Sequence, residues 1–118
     1  MQVYADKEKI RQVLLNLFEN AIKYGKKDSF ITASIYHTDL QRILIEISDD
    51  GIGITEDNLP RVFERFFRTD RGRSVDTGGS GLGLAICKHI IEAHDENIHI
   101  RSRENIGTTV GFTLTSKK

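Results

Sequence analysis

Cysteine, proline and tryptophan are scarce in this chain: its 118 residues include one cysteine, one proline and no tryptophan. A single cysteine excludes a disulfide framework, and Cys87 lies in an apolar-periodic segment, where a buried, reduced thiol suits a cytosolic protein. No apolar run approaches the ~20 residues of a membrane span, and no signal-peptide core follows Met1. The sequence therefore predicts a soluble cytoplasmic domain, which can still belong to a longer, membrane-anchored parent.

An excess of charge of either sign is also absent, because the 17 basic and 17 acidic side chains cancel. The sequence thus offers no electrostatic footprint for nucleic acid or for an anionic membrane surface. Its length is that of one domain with a single hydrophobic core. We expect residues 1–118 to form that domain.

Glycine is present and concentrated, because four of the ten glycines fall within residues 78–83, directly before an apolar helical segment. Glycine lets backbone N–H groups approach a ligand closely, and a helix N-terminus adds unpaired donors and positive potential. The stretch therefore predicts a phosphate-binding loop. Its GxGxG spacing is neither the dinucleotide motif nor the P-loop, so a linker that simply meets a helix remains an alternative.

Hydrophobic periodicity predicts the secondary structure. Apolar residues recur with helical spacing over residues 10–22, after an N-cap at Asp6 and before a stop at Gly25. A second helix is expected over residues 82–94. Alternation predicts strands over 30–36, 42–48, 98–102 and 108–115, of which the first two form an antiparallel hairpin. This order predicts an α+β fold, a two-layer sandwich with helices on one face of a mostly antiparallel sheet.

The alternation also assigns side chains to faces of the sheet. In the second strand, one set is expected to face the core and the other to point outward: Ile43, Ile45 and Ile47 inward, and Arg42, Glu46 and Ser48 outward. In the last two strands, the residues expected to face inward are Ile98, Ile100, Val110, Phe112 and Leu114.

Two connecting segments have compositions that point to function. In the segment 49–54, Asp-Asp-Gly-Ile-Gly-Ile, glycines allow a tight backbone passage, and Ile52 and Ile54 can wall an apolar pocket with a carboxylate at its mouth. The segment lacks the alternating oxygen ligands of a calcium loop, and a turn with incidental acids is the alternative. Residues 68–79 are polar and form an unusually long connection for a compact domain. We expect a mobile lid at about 64–80.

The first helix carries polar residues next to its apolar stripe. Asn16 and Asn20 lie four residues apart and Lys23 three further on, so all three share one flank of the helix. Asparagine is a mediocre helix former because its side chain competes for backbone hydrogen bonds. The flank therefore indicates either hydrogen bonding between helices or a polar site.

Five motifs in this chain, taken in order, resemble those of sensor histidine kinases. Residues 16–24 look like the N box, 49–54 like the first glycine box, 63–68 like the F box, 79–84 like the second glycine box, and 107–109 like the closing Gly-Thr. Their order and spacing follow the family from end to end. The chain is similar to the catalytic and ATP-binding domain of a two-component histidine kinase, and the resemblance implies the Bergerat ATP-binding fold.

The resemblance implies a site for ATP and Mg²⁺. Asn20 would ligate Mg²⁺ through its amide oxygen, because phosphates and water can supply the other oxygen ligands. Asn16 and Lys23 would address the phosphates, and Tyr24 would pack on the adenine or ribose. Asp49 would accept a hydrogen bond from the exocyclic amine of adenine.

Further implied site residues lie in the loops. Arg68 would enter from the lid and reach the terminal phosphate, which makes it the candidate catalytic residue. The backbone of residues 79–84 would cradle the phosphates. The nucleotide-binding loop residues implied by the resemblance are Gly51, Gly53, Ile54, Arg68, Gly79, Ser80, Gly81, Leu82, Gly83, Leu84 and Thr108.

One position separates transfer from hydrolysis within this superfamily. Its hydrolytic members place a water-activating glutamate four residues before the metal-binding asparagine, where this chain has Asn16. An amide cannot act as a base, so the resemblance implies phosphoryl transfer rather than hydrolysis. A serine kinase or hydrolytic ATPase of the same fold, and a nucleotide sensor without transfer activity, are the alternatives.

The phosphate acceptor is expected on another domain. Of the four histidines, only His94 precedes an acid, and it lacks the Thr or Asn that the family's acceptor motif has four residues on. The resemblance therefore implies a separate dimerisation and histidine-phosphotransfer domain of the same parent, and a response regulator receiver domain downstream. The isolated domain is expected to be monomeric, and its parent a membrane-anchored homodimer with this domain on the cytoplasmic side.

The sequence departs from the family in one turn. The family usually has Gly-Gly before the penultimate strand, and this chain has Asp95, Glu96 and Asn97 there. Asparagine tolerates positive φ, so we expect Asn97 to preserve the turn.

Overall fold

One antiparallel sheet, covered on one face by two helices, organises the chain in a computed structural model that describes residues 2–23, 30–39, 41–64 and 83–117. This arrangement confirms the predicted α+β fold class. The elements in chain order are β1 (Gln2–Tyr4), α1 (Lys7–Lys23), β2 (Ile31–His37), β3 (Arg42–Asp49), a 3₁₀ turn (Leu59–Arg61), α2 (Gly83–Ala93), β4 (Ile98–Arg103) and β5 (Gly107–Lys117).

The longest strand, β5, holds the sheet together because three other strands pair with it. The sheet order is β1-β5-β3-β2, and β4 pairs with β5 beside that path. Residues 108–115 of β5 pair with β3 on one edge. On the other edge, residues 107–112 pair with β4 and residues 115–117 with β1. Chain segments from both ends of the sequence therefore meet on one strand.

The helices close the core against β3 and β5. The buried side chains of the core cluster come from α1, α2 and these two strands: Val13, Leu17, Ala21, Cys87, Ile90, Ile91, Ile43, Ile47, Val110, Phe112 and Leu114. This pattern confirms the inward-facing residues predicted for α1, β3 and β5. Cys87 is buried as expected, and its burial raises the pKa of the thiol to about 12. The thiol therefore remains protonated and unreactive.

Hydrogen bonds at the helix ends join α1 to α2. Asp6 Oδ1 accepts the Lys9 N–H at 3.1 Å, which confirms the predicted N-cap. His94 Nδ1 donates to the Ile90 carbonyl at 2.8 Å, and His94 Nε2 accepts the Asp6 N–H at 3.0 Å. The imidazole thus satisfies groups at the C-terminus of one helix and the N-terminus of the other. No helix in the described ranges is long and apolar enough to cross a membrane.

The outer face of the sheet buries a carboxylate that alternation placed outward. Glu46 does lie on the face away from the helices, but it is only 7% exposed. Glu46, Gly111 and His99 stand side by side on β3, β5 and β4. Arg101 Nη2 lies 3.2 Å from Glu46 Oε2, and His99 Nε2 lies 3.7 Å from the same oxygen. Arg101 therefore supplies an ion pair to the carboxylate, and the His99 ring lies beside it.

Glycine leaves space for its neighbours at the centre of that row. A Cβ on Gly111 would lie 2.7 Å from His99 Nε2 and 3.1 Å from Glu46 Cγ. Both distances are shorter than ordinary carbon contacts, which lie near 3.5–4.0 Å. The absence of a side chain on β5 allows β3 and β4 side chains to meet above it.

The turn before β4 forms as predicted, but a different residue takes the positive φ. Asp95, not Asn97, takes the left-handed conformation, with φ of 58°. Glu96 then points back onto the sheet and is 7% exposed. Its Oε1 accepts the Thr113 hydroxyl at 2.8 Å, and its Oε2 accepts the Thr115 hydroxyl at 2.6 Å. The turn is thus held by a buried carboxylate.

We expect Glu96→Ala to lower the free energy of unfolding by about 2–4 kcal/mol, because the half-buried hydroxyls of Thr113 and Thr115 lose a charged, buried acceptor. Arg42, whose Nε lies 3.6 Å from Glu96 Oε1, also loses its partner. Chemical denaturation measures the change. Glu92→Ala removes an exposed glutamate from α2 and is the matched control. An equal, small effect of both substitutions would show that the buried contacts of Glu96 do not stabilise the fold.

Candidate functional site

The first glycine-box segment, residues 49–54, begins at the last residue of β3, which lies beside the start of β5. Asp49, the last residue of β3, pairs with Thr108 of β5. The Asp49 side chain is half-buried, and its Oδ1 accepts the Gly51 N–H at 2.9 Å. Burial raises the pKa of the Asp49 carboxyl, the Gly51 N–H opposes that shift, and the neighbouring Asp50 carboxylate adds to it. Asp49 is therefore a partly desolvated carboxylate with its backbone position set by the sheet.

The second acid of the segment has a different role. Asp50 is exposed, and its Oδ1 accepts the Phe30 N–H at 2.9 Å. This bond ties the end of β3 to the residue that precedes β2 (Ile31–His37). The two adjacent carboxylates therefore have different neighbours: Asp49 lies beside β5, and Asp50 contacts the residue before β2.

The glycine-box segment packs backbone against backbone on the β4–β5 turn. Gly53 has φ of 72°, and a Cβ there would lie 2.2 Å from the Arg103 carbonyl oxygen. Gly107 has φ of 148°, and a Cβ there would lie 2.1 Å from the Asp49 carbonyl oxygen. Backbone atoms cannot move aside as a flexible side chain can. Both positions therefore require glycine for conformation and for space.

Ser102 joins the two segments and was missed by the sequence analysis. Its Oγ accepts the Ile54 N–H at 2.7 Å and donates to the Gly107 carbonyl at 2.9 Å. Thr108 Oγ1 lies 2.7 Å from the same oxygen. If Thr108 donates in that pair, Ser102 uses its one donor and both acceptor positions. The sequence signal for this role was its spacing. Ser102 follows Ile98 and Ile100 at intervals of two residues along β4, so it lies on the same inward face as these two isoleucines.

The apolar residues of the segment are divided between core and surface. Ile54 is 4% exposed, and Ile52 is half-buried. The Ile52 carbonyl accepts the Asn105 N–H at 2.7 Å, which adds a second link to the β4–β5 turn. Ile52 therefore keeps more surface for contact with a ligand than Ile54 does.

On α1, the polar flank lies where the sequence predicts it. Asn16, Asn20 and Lys23 are all half-buried. Asn16 Nδ2 is buried and makes no hydrogen bond to any described residue. The Asn16 side chain faces Cys87 of α2 closely enough to lower the pKa of that thiol, although burial raises it by more. A buried amide donor without an acceptor costs about 1–3 kcal/mol, so Asn16 keeps an unused donor on a flank that also faces α2.

Only part of the second glycine box lies within the described residues. Gly83 is the first residue of α2 (Gly83–Ala93) and Leu84 packs against the core. A Cβ on Gly83 would meet no described atom within 4 Å. Unlike Gly53 and Gly107, this glycine is therefore not required by contact with any described residue.

Several predicted site residues fall outside the described ranges. They are Tyr24, Arg68, Gly79, Ser80, Gly81 and Leu82, together with residues 65–80 of the predicted lid. The F box is described only at its start, where Lys88 Nζ of α2 lies 5.8 Å from the centre of the Phe63 ring. Within the described ranges, no cluster of three or more His, Cys, Asp or Glu residues could hold a metal ion.

Residues 5–118 match the family described as histidine kinase-, DNA gyrase B- and HSP90-like ATPase. The chain is 42% identical over 119 residues to the sensor histidine kinase WalK of Bacillus subtilis (strain 168), an alignment that covers 100% of this chain and 20% of WalK. This chain thus spans one fifth of the length of that relative.

Solved structures show the same likeness. A mycobacterial sensor histidine kinase, MprB, superposes with a TM-score of 0.87 and 30% identity, over 98% of this chain and 77% of that chain. Full-length ShkA in complex with AMPPNP gives a TM-score of 0.82 and 27% identity, over 98% of this chain and 23% of that chain. The fold described above is therefore that of histidine kinase ATPase domains, the Bergerat fold.

We expect Ser102→Ala to destabilise the fold by about 2 kcal/mol, because the buried Ile54 N–H and Gly107 carbonyl both lose their partner. Thermal and chemical denaturation measure this loss. Ser48→Ala is the matched control, since Ser48 makes one hydroxyl contact with Thr109 on a cross-strand pair. If Ser102→Ala costs no more than Ser48→Ala, Ser102 is not the residue that joins the two segments.

Proposed function

Because the chain belongs to the histidine kinase-, DNA gyrase B- and HSP90-like ATPase family, we propose that it binds ATP with Mg²⁺ and donates the γ-phosphoryl group to a histidine. The acceptor would lie on a separate dimerisation domain of a longer parent. The names of its relatives, which are sensor histidine kinases, support this assignment. The parent would act in two-component signal transduction and pass the phosphoryl group to a response regulator.

The placement of Asp49 is the observation that carries the proposal. Its carboxylate is half-buried, is oriented by the Gly51 N–H, and stands on a strand end that Gly107 and Ser102 immobilise. A fixed, partly desolvated acceptor selects a ligand with a matching N–H donor. The exocyclic amine of adenine is such a donor. Tyr24, beyond the described ranges, is assigned to the adenine or ribose by the family resemblance alone.

Residues of α1 and the start of α2 fit the phosphate end of the nucleotide. Asn16 offers a buried amide donor and Lys23 a cation in the last turn of α1, and Gly83, where the described part of α2 begins, would stand beside the phosphates. Asn20 would hold Mg²⁺ through its amide oxygen. The metal would neutralise phosphate charge and needs few protein ligands, because phosphates and water complete its octahedral shell.

Transfer is favoured over hydrolysis by the chemistry of the same flank. Asn16 has no basic atom with which to deprotonate water. Glu19, the neighbouring acid on α1, is exposed and lies about 100° from Asn20 around the helix. An enzyme that keeps its phosphoryl group for a protein acceptor benefits from leaving water unactivated.

We expect the chain to bind GTP at least ~30-fold more weakly than ATP, because a carbonyl oxygen facing Asp49 leaves two acceptors unpaired, at about 2 kcal/mol. Isothermal titration calorimetry with Mg²⁺ measures both affinities. Asp49→Asn should narrow the difference, since an amide can turn its N–H₂ group toward the carbonyl. Comparable affinities of the unsubstituted chain for ATP and GTP would refute this placement of Asp49.

The phosphotransfer itself is tested by mixing the chain with labelled ATP and candidate dimerisation domains. We expect an acid-labile, base-stable phosphoprotein, as a phosphohistidine requires. Release of labelled phosphate without protein labelling would indicate a hydrolytic ATPase instead. If the chain binds ATP but neither labels any candidate domain nor releases labelled phosphate, the result would indicate a nucleotide sensor.

We expect Asn20→Ala to abolish Mg²⁺-dependent nucleotide binding and protein labelling, because the proposed metal ligand is removed. Asn97→Ala replaces an exposed asparagine in the turn before β4 and serves as the control. Labelling that persists in Asn20→Ala at the level of Asn97→Ala would contradict the assignment of Asn20 to the metal.

A further inference from the structure

The strand β2 forms an edge of the sheet that lacks the usual protection. In the described part of the chain, β3 is its only pairing partner. Natural edge strands are commonly guarded by charged residues, proline, bulges or a covering element. Residues 30–36, Phe-Ile-Thr-Ala-Ser-Ile-Tyr, contain no charge, no proline and no glycine. This edge is therefore open to pairing with another strand.

The direction of the unpaired backbone groups follows from the β2–β3 ladder. The Thr38 N–H donates to the Arg42 carbonyl at 3.1 Å, on the same register in which Tyr36 pairs with Leu44. Hydrogen-bonded and non-hydrogen-bonded pairs alternate along an antiparallel ladder. The even-numbered residues of β2 therefore direct their N–H and C=O toward β3. Those of Ile31, Ala33 and Ile35 point to the open edge.

The side chains along this edge are apolar and exposed on both faces. Phe30 is 77% exposed and Tyr36 50% exposed on one face, and Ile35 is 61% exposed on the other. Ile31 and Ile35 share the face of Ile47 and Ile45 in β3, which is the helix side. The helix layer thus leaves the inner face of the edge strand uncovered.

The sequence of this edge reads nearly the same in both directions about Ala33. Phe30 and Tyr36, Ile31 and Ile35, and Thr32 and Ser34 are symmetric pairs of similar side chains. An antiparallel pair of identical strands related by a two-fold axis places such residues opposite each other. We propose that β2 is a self-association edge, at which a second copy of this chain pairs antiparallel about a two-fold axis at Ala33.

This register satisfies both the hydrogen bonds and the faces of the sheet. Ile31 lies opposite Ile35 of the second copy, and Ala33 lies opposite Ala33. The backbone N–H and C=O groups at the open edge of one copy therefore face those at the open edge of the other. Each hydrogen-bonded pair exchanges two N–H···O=C bonds. The isoleucines of both copies meet on the helix side, and Phe30 meets Tyr36 on the outer face. Aromatic and β-branched cross-strand pairs of this kind stabilise sheets.

The size of the interface determines the strength of the association. One short strand from each copy buries less than the ~1,200 Å² at which stable interfaces begin. The pairing is therefore weak and concentration-dependent, and the chain is a monomer when dilute. This refines the expectation of a monomer that the family resemblance implied.

Sedimentation velocity over a range of concentrations tests the proposal on the full chain. We expect a reversible monomer–dimer equilibrium that Ile35→Lys weakens at least ~10-fold, because it places charge opposite an apolar partner. Ile106→Lys is the matched control, since Ile106 is also 61% exposed but lies in the β4–β5 turn. A chain that stays monomeric at millimolar concentration, or a dimer weakened equally by both variants, overturns the proposal.

Oxidative cross-linking tests the register. In the proposed pair, the two Ala33 Cα atoms lie about 5.5 Å apart, within the range that a disulfide bridges, whereas the two Thr32 Cα atoms lie about 8 Å apart. Ala33→Cys should therefore form a covalent dimer much faster than Thr32→Cys, and the native Cys87 is buried. Equal rates for the two variants, or faster linkage of Thr32→Cys, would rule out a two-fold at Ala33.

Discussion

The close contact between the first glycine-box segment and the β4–β5 turn is the constraint on which the site depends. Two glycines without side chains let backbone carbonyls approach within distances that no Cβ permits. Ser102 then connects the N–H of Ile54 to the carbonyl of Gly107 through one hydroxyl. Asp49 lies between these contacts, so backbone packing sets the position of its main chain and the Gly51 N–H orients its carboxylate. A carboxylate held in this way can discriminate between ligands, because it cannot move to accommodate the wrong one.

A second set of constraints acts on the outer face of the sheet. Because β5 pairs with three strands, side chains from β3 and β4 lie on either side of it. Glu46 and Glu96 are each buried there and are partnered by neighbours from other strands or turns. Buried charges contribute little net stability but are costly to leave unpaired. These carboxylates therefore penalise any shift in strand register that would separate them from their partners.

The two edges of the sheet are built from different numbers of strands. On one edge, β1 and β4 divide the length of β5 between them. The other edge is the single seven-residue strand β2, which carries exposed isoleucines. The Asp50 contact with the Phe30 N–H links this edge to the end of β3 and hence to the first glycine-box segment. The start of the edge strand is thus held by Asp50, the residue next to the proposed adenine-binding Asp49.

The sequence by itself determined the α+β class, the order of its elements, the Asp6 cap and the inward-facing residues of α1, β3 and β5. These features follow from local spacing, since helical and strand periods and capping need only near neighbours. It also indicated the family through motif order. Only the tertiary structure decided that Ser102 joins two loops, that Asp95 rather than Asn97 takes positive φ, and that Glu46 and Glu96 are buried. Each of these depends on contacts between residues distant in sequence, such as Ile54 with Ser102 or Glu96 with Thr115, and the partner is decided by strand register rather than by local pattern.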